Sequence, residues 1–326
     1  MKNSGIGGQA VIEGIMMKNK DKYAVTVRLT DGSIITDVKE CKSITEKYKW
    51  LGLPFIRGSV NFIESMIIGM KTLTYSADFF EEEDDKSGKK SADNNGENKE
   101  VQKGFMTGWV LFSTIALALV MAIGLFMFLP QLISEGLCTL LGFEVGGKFG
   151  ALIEGVMRLT IFVIYILLIS MMEDIKRTFM YHGAEHKTIN CLEHGLELNV
   201  ENVRKSSKEH RRCGTSFMII VLIIAIVIFM FIPPITAYSK VVNFLIRLAI
   251  RLLLLPVIAG ISYEFLKLAG RSDNKLVNLL SKPGLWMQGL TTKEPDDKMI
   301  EVAIASVEAV FDWKAFLAEN FPEDNK

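Results

Sequence analysis

The sequence predicts a mainly α-helical fold, a multi-pass membrane helical bundle of about four transmembrane helices with a small N-terminal cytoplasmic α+β unit containing a β-hairpin. Three observations lead there. Trp109 to Leu129 is 21 residues without a charge, and Thr215 to Ile232 is 18. At about 1.5 Å per residue the first spans roughly 31 Å, the thickness of a hydrocarbon core. Two further apolar runs, Phe149 to Met172 and Val241 to Tyr263, are interrupted only by Glu154 with Arg158 and by Arg247 with Arg251. The first 50 residues, by contrast, lack the continuous apolar core of a signal peptide.

The expected divisions follow in order: an N-terminal unit (1–80), a linker (81–104), a transmembrane domain (105–265) carrying a cytoplasmic His/Cys hairpin at 173–214, and a C-terminal cytoplasmic helical segment (266–326). Gly5 to Met17 is a tight, glycine-punctuated segment. Tyr23 to Thr30 alternates apolar and polar residues, Asp31-Gly32 supplies a turn, and Ser33 to Val38 continues the pattern, which is a hairpin signal. After Pro54, Phe55 to Phe80 places Phe62, Met66, Met70 and Leu73 at helical spacing, while Arg57, Glu64 and Lys71 mark the helix as amphipathic, lying on the membrane or against the bundle. Glu81 to Lys103 holds no aliphatic residue before Val101, apart from Ala92, and has the composition of a disordered linker. Leu266 to Leu280 reads as helix, Lys282-Pro283-Gly284 as a break, and Asp297 to Leu317 as an amphipathic helix.

Charge sets the expected orientation. The loop from Glu173 to Gly214 holds eight Lys or Arg, whereas 130–148 and 233–240 hold Lys148 and Lys240. The positive-inside rule then places both termini and the His/Cys loop in the cytoplasm of a cell-membrane protein. With 37 basic against 37 acidic residues there is no electrostatic footprint for nucleic acid. The expected partner is the lipid bilayer, and the sequence carries no oligomerisation signal. Cys41, Cys138, Cys191 and Cys213 form no CxxC pair, and three of them fall in segments assigned to the reducing cytosol.

All four histidines lie between His182 and His210. His182 and His186 are one helical turn apart, Asn190 and His194 continue their stripe, and Glu185 stands beside them. If the second span runs on as a helix past Lys176, Gly195 can end it in the left-handed conformation, and Asn199 can cap a second helix that carries Val200 to His210 back to the membrane. His210 and Cys213 would then approach His182 and His186, and such a set suits zinc. His182-Gly183-Ala184-Glu185-His186 also fits H-x-x-E-H, in which two histidines hold the metal and the glutamate activates water. Cys191 and His194 are weaker candidates, since Cys191 points off the stripe. The competing reading is an interfacial helix whose histidines contact lipid phosphate or cap the bundle.

Several segments together resemble the YqhQ-like family of predicted metal-dependent integral membrane proteins. They are Gly7 to Gly14, Pro54 to Gly58, Tyr181 to Lys187, Arg212 to Phe217, Ile261 to Glu264, Pro283 to Trp286 and Thr291 to Pro295. The resemblance covers nearly the whole chain outside the linker. It implies that His182, Glu185, His186, His210 and Cys213 belong to the family pattern and that Cys191 and His194 do not. Arg211 stands where the family usually has proline. No substrate follows from the resemblance.

Three functions remain open from the residues. A zinc-dependent hydrolase would use Glu185 as general base, with lipid head groups or the tails of membrane proteins as substrates. A non-catalytic scaffold or assembly factor would close a structural site with His182, His186, His210 and Cys213. A transporter is disfavoured, because the charged pairs do not interrupt a broken helix. Within the membrane, a Glu154–Arg158 pair with Arg247 and Arg251 snorkelling outward is preferred over a positively charged pocket. Among Gln9, Glu13, Arg57 and Glu64, structural capping is the expected role, with Glu13 the one additional site candidate.

Overall fold

The computed structural model describes residues 2–87, 98–143, 147–210, 212–233, 235, 238–270 and 274–322. Four strands, β1 (Ile6–Val11), β2 (Gly14–Asn19), β3 (Lys22–Arg28) and β4 (Ile34–Glu40), form an antiparallel meander in the order β1-β2-β3-β4. The helices are α1 (Ile44–Lys47), α2 (Ile56–Ser87), α3 (Asn98–Ile123), α4 (Leu129–Leu141), α5 (Lys148–Ile169) and α6 (Glu173–Glu193). They continue with α7 (Val200–Lys205), α8 (Gly214–Phe229), α9 (Lys240–Ala269), α10 (Lys275–Thr291), α11 (Asp297–Glu308) and α12 (Trp313–Asn320).

The chain forms two compact units. The first comprises Met1–Glu81, Ile166–Ile224 and Leu254–Lys326, so the N-terminal sheet, the His/Cys hairpin and the C-terminal helices fold together. The pleat explains why. Ile15 and Met17 of β2 point to one face and pack with Tyr181, Ala184 and Leu192 of α6 and with Ile300 and Ala303 of α11. Val11, Met16, Tyr23, Val25 and Val27 form the other face, covered by Ile68, Tyr75 and Phe79 of α2. The β3–β4 hairpin pairs Arg28 with Ile34 across the expected turn at Gly32, whose φ is +87°. The glycine-punctuated N-terminal segment is itself a second hairpin, closed at Ile12-Glu13. Gly14 is required there, because a Cβ would lie 2.3 Å from the Thr26 carbonyl oxygen.

Among the described residues, three helices are long and apolar enough to cross a membrane: Phe112–Leu141 (30 residues), Lys148–Ile169 (22) and Val241–Ala269 (29). The expected fourth is corrected, since α8 stops after 16 residues, about 24 Å of helix. The loop expected at 130–148 is also corrected: α3 passes through a π-helical turn at Gly124–Phe128 directly into α4. The polar linker is helical at both ends, in α2 to Ser87 and in α3 from Asn98, and 88–97 lie outside the described residues.

The second unit, Glu82–Tyr165 with Ala225–Leu253, holds the charges of the candidate spans. They do not snorkel. Glu154 accepts from Arg158 Nη2 at 2.6 Å and from Arg251 Nη2 at 2.6 Å, while Arg247 Nη2 donates to Glu135 at 2.9 Å. Arg251 Nη1 reaches Gln131 at 3.2 Å. Arg158 Nε donates to the Phe126 carbonyl at 2.8 Å. That oxygen lies four residues before Pro130, which has no N–H to offer it, so the guanidinium satisfies an acceptor that the proline leaves open in the π-turn.

Candidate metal centre

The second span does not run on into the histidine helix. The chain breaks at 170–172 and α6 starts afresh, with Glu173 and Asp174 placing negative charge on its N-terminus. The imidazoles of His182 and His186, one turn apart, have ring centroids 4.4 Å apart. Gly195 follows the end of α6 at φ +79°, and Asn199 caps α7 by accepting from the Asn202 N–H. The helix expected to reach His210 ends at Lys205.

Residues 206–210, 212 and 213 therefore reach the site without regular structure, and side chains hold the segment there. From α6, Lys187 Nζ donates to the carbonyls of Arg204 and Ser206 at 2.9 and 3.0 Å. Asn190 Nδ2 donates to those of Ser207 and Glu209 at 2.7 and 2.8 Å. From α10, the Gln288 amide accepts from the His210 N–H at 2.8 Å and donates to its carbonyl at 2.7 Å. Cys213 is thereby delivered to α6, with its Sγ 3.2 Å from His182 Nε2.

His182, His186 and Cys213 offer ligand atoms that all lie within 4.8 Å of one another. Each imidazole has its other nitrogen committed: His182 Nδ1 sits 2.9 Å from the Thr291 carbonyl and His186 Nδ1 2.6 Å from that of Lys208. With an ion in place of the shared proton, donation from Nδ1 would leave both Nε2 lone pairs for it, the arrangement in which outer partners orient metal-ligating histidines. Burial alone would push the Cys213 thiol up, but His182 and His186 pull it well below its ordinary value of 9.0. Burial would likewise lower His182, and the Cys213 thiolate more than reverses this, raising it to about 9. Two imidazoles and a thiolate fit a zinc ion better than a hard cation.

Glu185 is buried beside this group. Burial raises its carboxyl above 4.5, opposed by His182 and His186, and the Gly8 N–H donates to it. A Cβ at Gly8 would lie 2.8 Å from the carboxyl carbon, so the strand approaches the glutamate this closely because residue 8 has no side chain.

The other expected site residues go elsewhere. His210 is not part of the cluster: its Nε2 lies 3.5 Å from Glu193, although its ring centroid is 5.7 Å from that of His186. His194 is exposed at the end of α6, with Nδ1 2.8 Å from the Asn190 carbonyl. Cys191 is buried against the carbonyls of Leu196 and Glu197. Glu13 forms a two-pronged ion pair with Arg177, both contacts at 2.5 Å, and ties the β1–β2 turn to α6. Arg57 pairs with Glu264 at 2.6 and 2.7 Å, Glu64 accepts from the Ile44 N–H at 2.6 Å, and the Gln9 amide lies against Gly69.

The residues missed were Lys187, Glu193 and Gln288, which look like ordinary surface polar residues in sequence. The one available signal was position, since Asn190 and Glu193 follow Lys187 at three-residue helical steps. Gly183 is a further requirement, because a Cβ there would lie 2.0 Å from the Lys293 carbonyl oxygen. Alanine should favour the helix by about 0.5–1 kcal/mol, yet overpacking against backbone costs about 1–3 kcal/mol. The clash wins, so Gly183→Ala should lower the thermal unfolding temperature of the purified protein. An unchanged or raised value would show that the 292–293 segment yields freely.

The fold and the cluster define a mainly helical chain with candidate membrane-spanning helices and a buried His/Cys group at the junction of α6 and the segment before α8. The chain belongs to the family described as "Protein of unknown function (DUF1385)", whose model matches residues 53–313. It is 33% identical over 316 residues to "Uncharacterized protein YqhQ" of Bacillus subtilis (strain 168), covering 96% of this chain and 94% of that protein. No solved structure matches it.

Proposed function

We propose that the protein is an integral-membrane, zinc-dependent hydrolase working at the cytoplasmic membrane interface. The observation that carries this reading is the ligand count. His182, His186 and Cys213 converge while His210 turns to Glu193, so among the described residues three ligands converge, the number in a catalytic zinc site, where a structural one takes four. Bound there, the metal would polarise the substrate and make a neighbouring water more acidic. Glu185 would take the proton of the attacking water and return it to the leaving group, a role suited to a buried carboxyl held above its usual range.

The location rests on connectivity and charge. Met1–Glu81, Ile166–Ile224 and Leu254–Lys326 share one compact unit, and a packed core cannot straddle a bilayer. The chain between Glu81 and Ile166 must then cross an even number of times. The α3–α4 helix and α5 are the two candidate crossings in that stretch. The Lys and Arg of 173–214 favour the cytoplasmic side for this unit and both termini.

Metal analysis of the full-length protein purified in detergent tests the reading. Wild type should carry about one zinc per chain, and His182→Ala and Cys213→Ser should lose it. Glu185→Gln should keep the metal and the fold yet fail to complement a deletion strain. Wild type without an ion overturns the proposal. A silent Glu185→Gln with the ion retained leaves the alternative, a membrane scaffold with a structural metal.

A further inference from the structure

Beside the metal centre, within the same compact unit, lie two adjoining cavities of opposite character. The first, about 590 Å³, is lined by Lys18, Lys20, Arg212 and Lys267 together with the backbone of Gly5 to Gly8. Among the described residues no carboxylate lines it. Its wall is β1, the edge strand that also brings Gly8 against Glu185. Arg212 is held in place by Asn3 and by the buried Glu193. Cationic side chains around a cleft of this size suit a phosphate-type anion.

The second cavity, about 450 Å³, is an apolar groove between α2 and the starts of α8 and the end of α9. Phe62, Met66, Met70, Leu73, Phe217 and Leu266 line it, and the first four remain exposed at 37–55%. Gln9, Ser65 and Tyr263 line both cavities. The groove is therefore continuous with the cationic cleft. An amphiphile with an anionic head and an alkyl chain matches both halves at once, whereas a free anion would leave the groove unfilled and a zwitterion would bring its own cation against Lys18 and Lys20.

We propose that this composite site binds a phosphate-headed membrane lipid, head group in the cationic cleft and acyl chain in the α2 groove. Gly8 links the two sites: it lines the cleft and its N–H is on Glu185. The lipid is accordingly the substrate class for the hydrolase reading above, and rests on that reading for the reaction though not for the binding.

The test uses full-length protein in neutral detergent with fluorescent-tailed phosphatidylglycerol, phosphatidylcholine with the same tail, and inorganic phosphate as competitor. Phosphatidylglycerol should bind at least about tenfold more tightly than phosphatidylcholine. Lys18→Gln with Lys20→Gln should weaken it about 30-fold. Met66→Glu, at an exposed position outside both core clusters, should weaken the lipid while leaving phosphate competition on the remaining binding unchanged. Equal affinity for the two lipids, inorganic phosphate binding as tightly as the lipid, or indifference to the lysine and Met66 changes would each overturn the proposal. Zinc content measured on the same samples separates the outcomes. Selective lipid binding without an ion removes the hydrolase reading alone, and an ion without lipid selectivity removes this one alone.

Discussion

Glu154→Gln should be the most damaging single change in the apolar half of the protein. The carboxylate bridges Arg158 and Arg251, and all three side chains are less than 10% exposed. Glutamine keeps the volume and one acceptor but removes the charge that offsets two buried guanidinium groups. Breaking such a pair from one side costs about 3–5 kcal/mol, because the surviving charge stays buried and unpaired. The loss should spread, since Arg158 also satisfies the Phe126 carbonyl that Pro130 leaves without a donor. Arg247→Leu gives the contrast. Its partner Glu135 is 38% exposed and, among the described residues, its Nε has no acceptor, so this replacement should cost about 1 kcal/mol or less. Thermal unfolding in one detergent, followed by helical circular dichroism, ranks the two. A Glu154→Gln loss no larger than that of Arg247→Leu would mean that water or detergent reaches the network and screens it.

How much of this was legible in the sequence follows from how local each signal is. The β3–β4 hairpin was readable because alternation and an Asp-Gly turn are local. The amphipathic α2 was readable for the same reason, from Phe62, Met66, Met70 and Leu73. The approach of Cys213 to His182 and His186 was readable from ligand chemistry, although the route was not: a helix was expected where Lys187, Asn190 and Gln288 hold an irregular segment. The β1–β2 hairpin was hidden by the glycines that make it possible, because Gly8 and Gly14 lower strand propensity while admitting Glu185 and the Thr26 carbonyl. Pro283 was read as a break, yet α10 continues through it. There a Cβ at Gly284 would lie 2.9 Å from Ser216, and Gln288 donates to the Ser216 hydroxyl at 2.7 Å, so packing against α8 overrides the local signal. Conversely, the helix expected from Asp297 to Leu317 divides at Ala309–Asp312, where Val310 and Phe311 turn into the core and Asp312 caps a new helix by accepting from the Ala315 N–H. The exclusion of His210 from the cluster depended on Glu193, whose burial no local pattern announces.

Glu193 also gives the protein a defined acid sensitivity. It is fully buried and accepts from the Ser4 N–H and hydroxyl, both at 2.8 Å, and from Arg212, with His210 at 3.5 Å. Burial alone would raise its carboxyl, but His210, Arg212 and Ser4 together lower it from 4.5 to about 2. A carboxyl depressed on folding contributes stability that is complete above its unfolded value and is lost as pH falls through the folded one. The interval from 4.5 to about 2 corresponds to about 3 kcal/mol. His210, which burial holds below 6.5, loses stability in the same direction but at higher pH, since the unfolded chain takes up its proton first. Two steps are therefore expected on acidification, one beginning below pH 6.5 and one below pH 4.5. Glu193→Gln should lower stability at neutral pH by about 3 kcal/mol and shrink the lower step, leaving the part that Glu264 and Glu294 contribute, while keeping the upper, since without the carboxylate nothing offsets the burial of His210. Denaturant unfolding at half-unit pH intervals reads both steps. If the variant and the wild type lose stability in parallel below pH 4.5, the acid sensitivity belongs to other carboxylates and Glu193 does not anchor the segment that delivers Cys213.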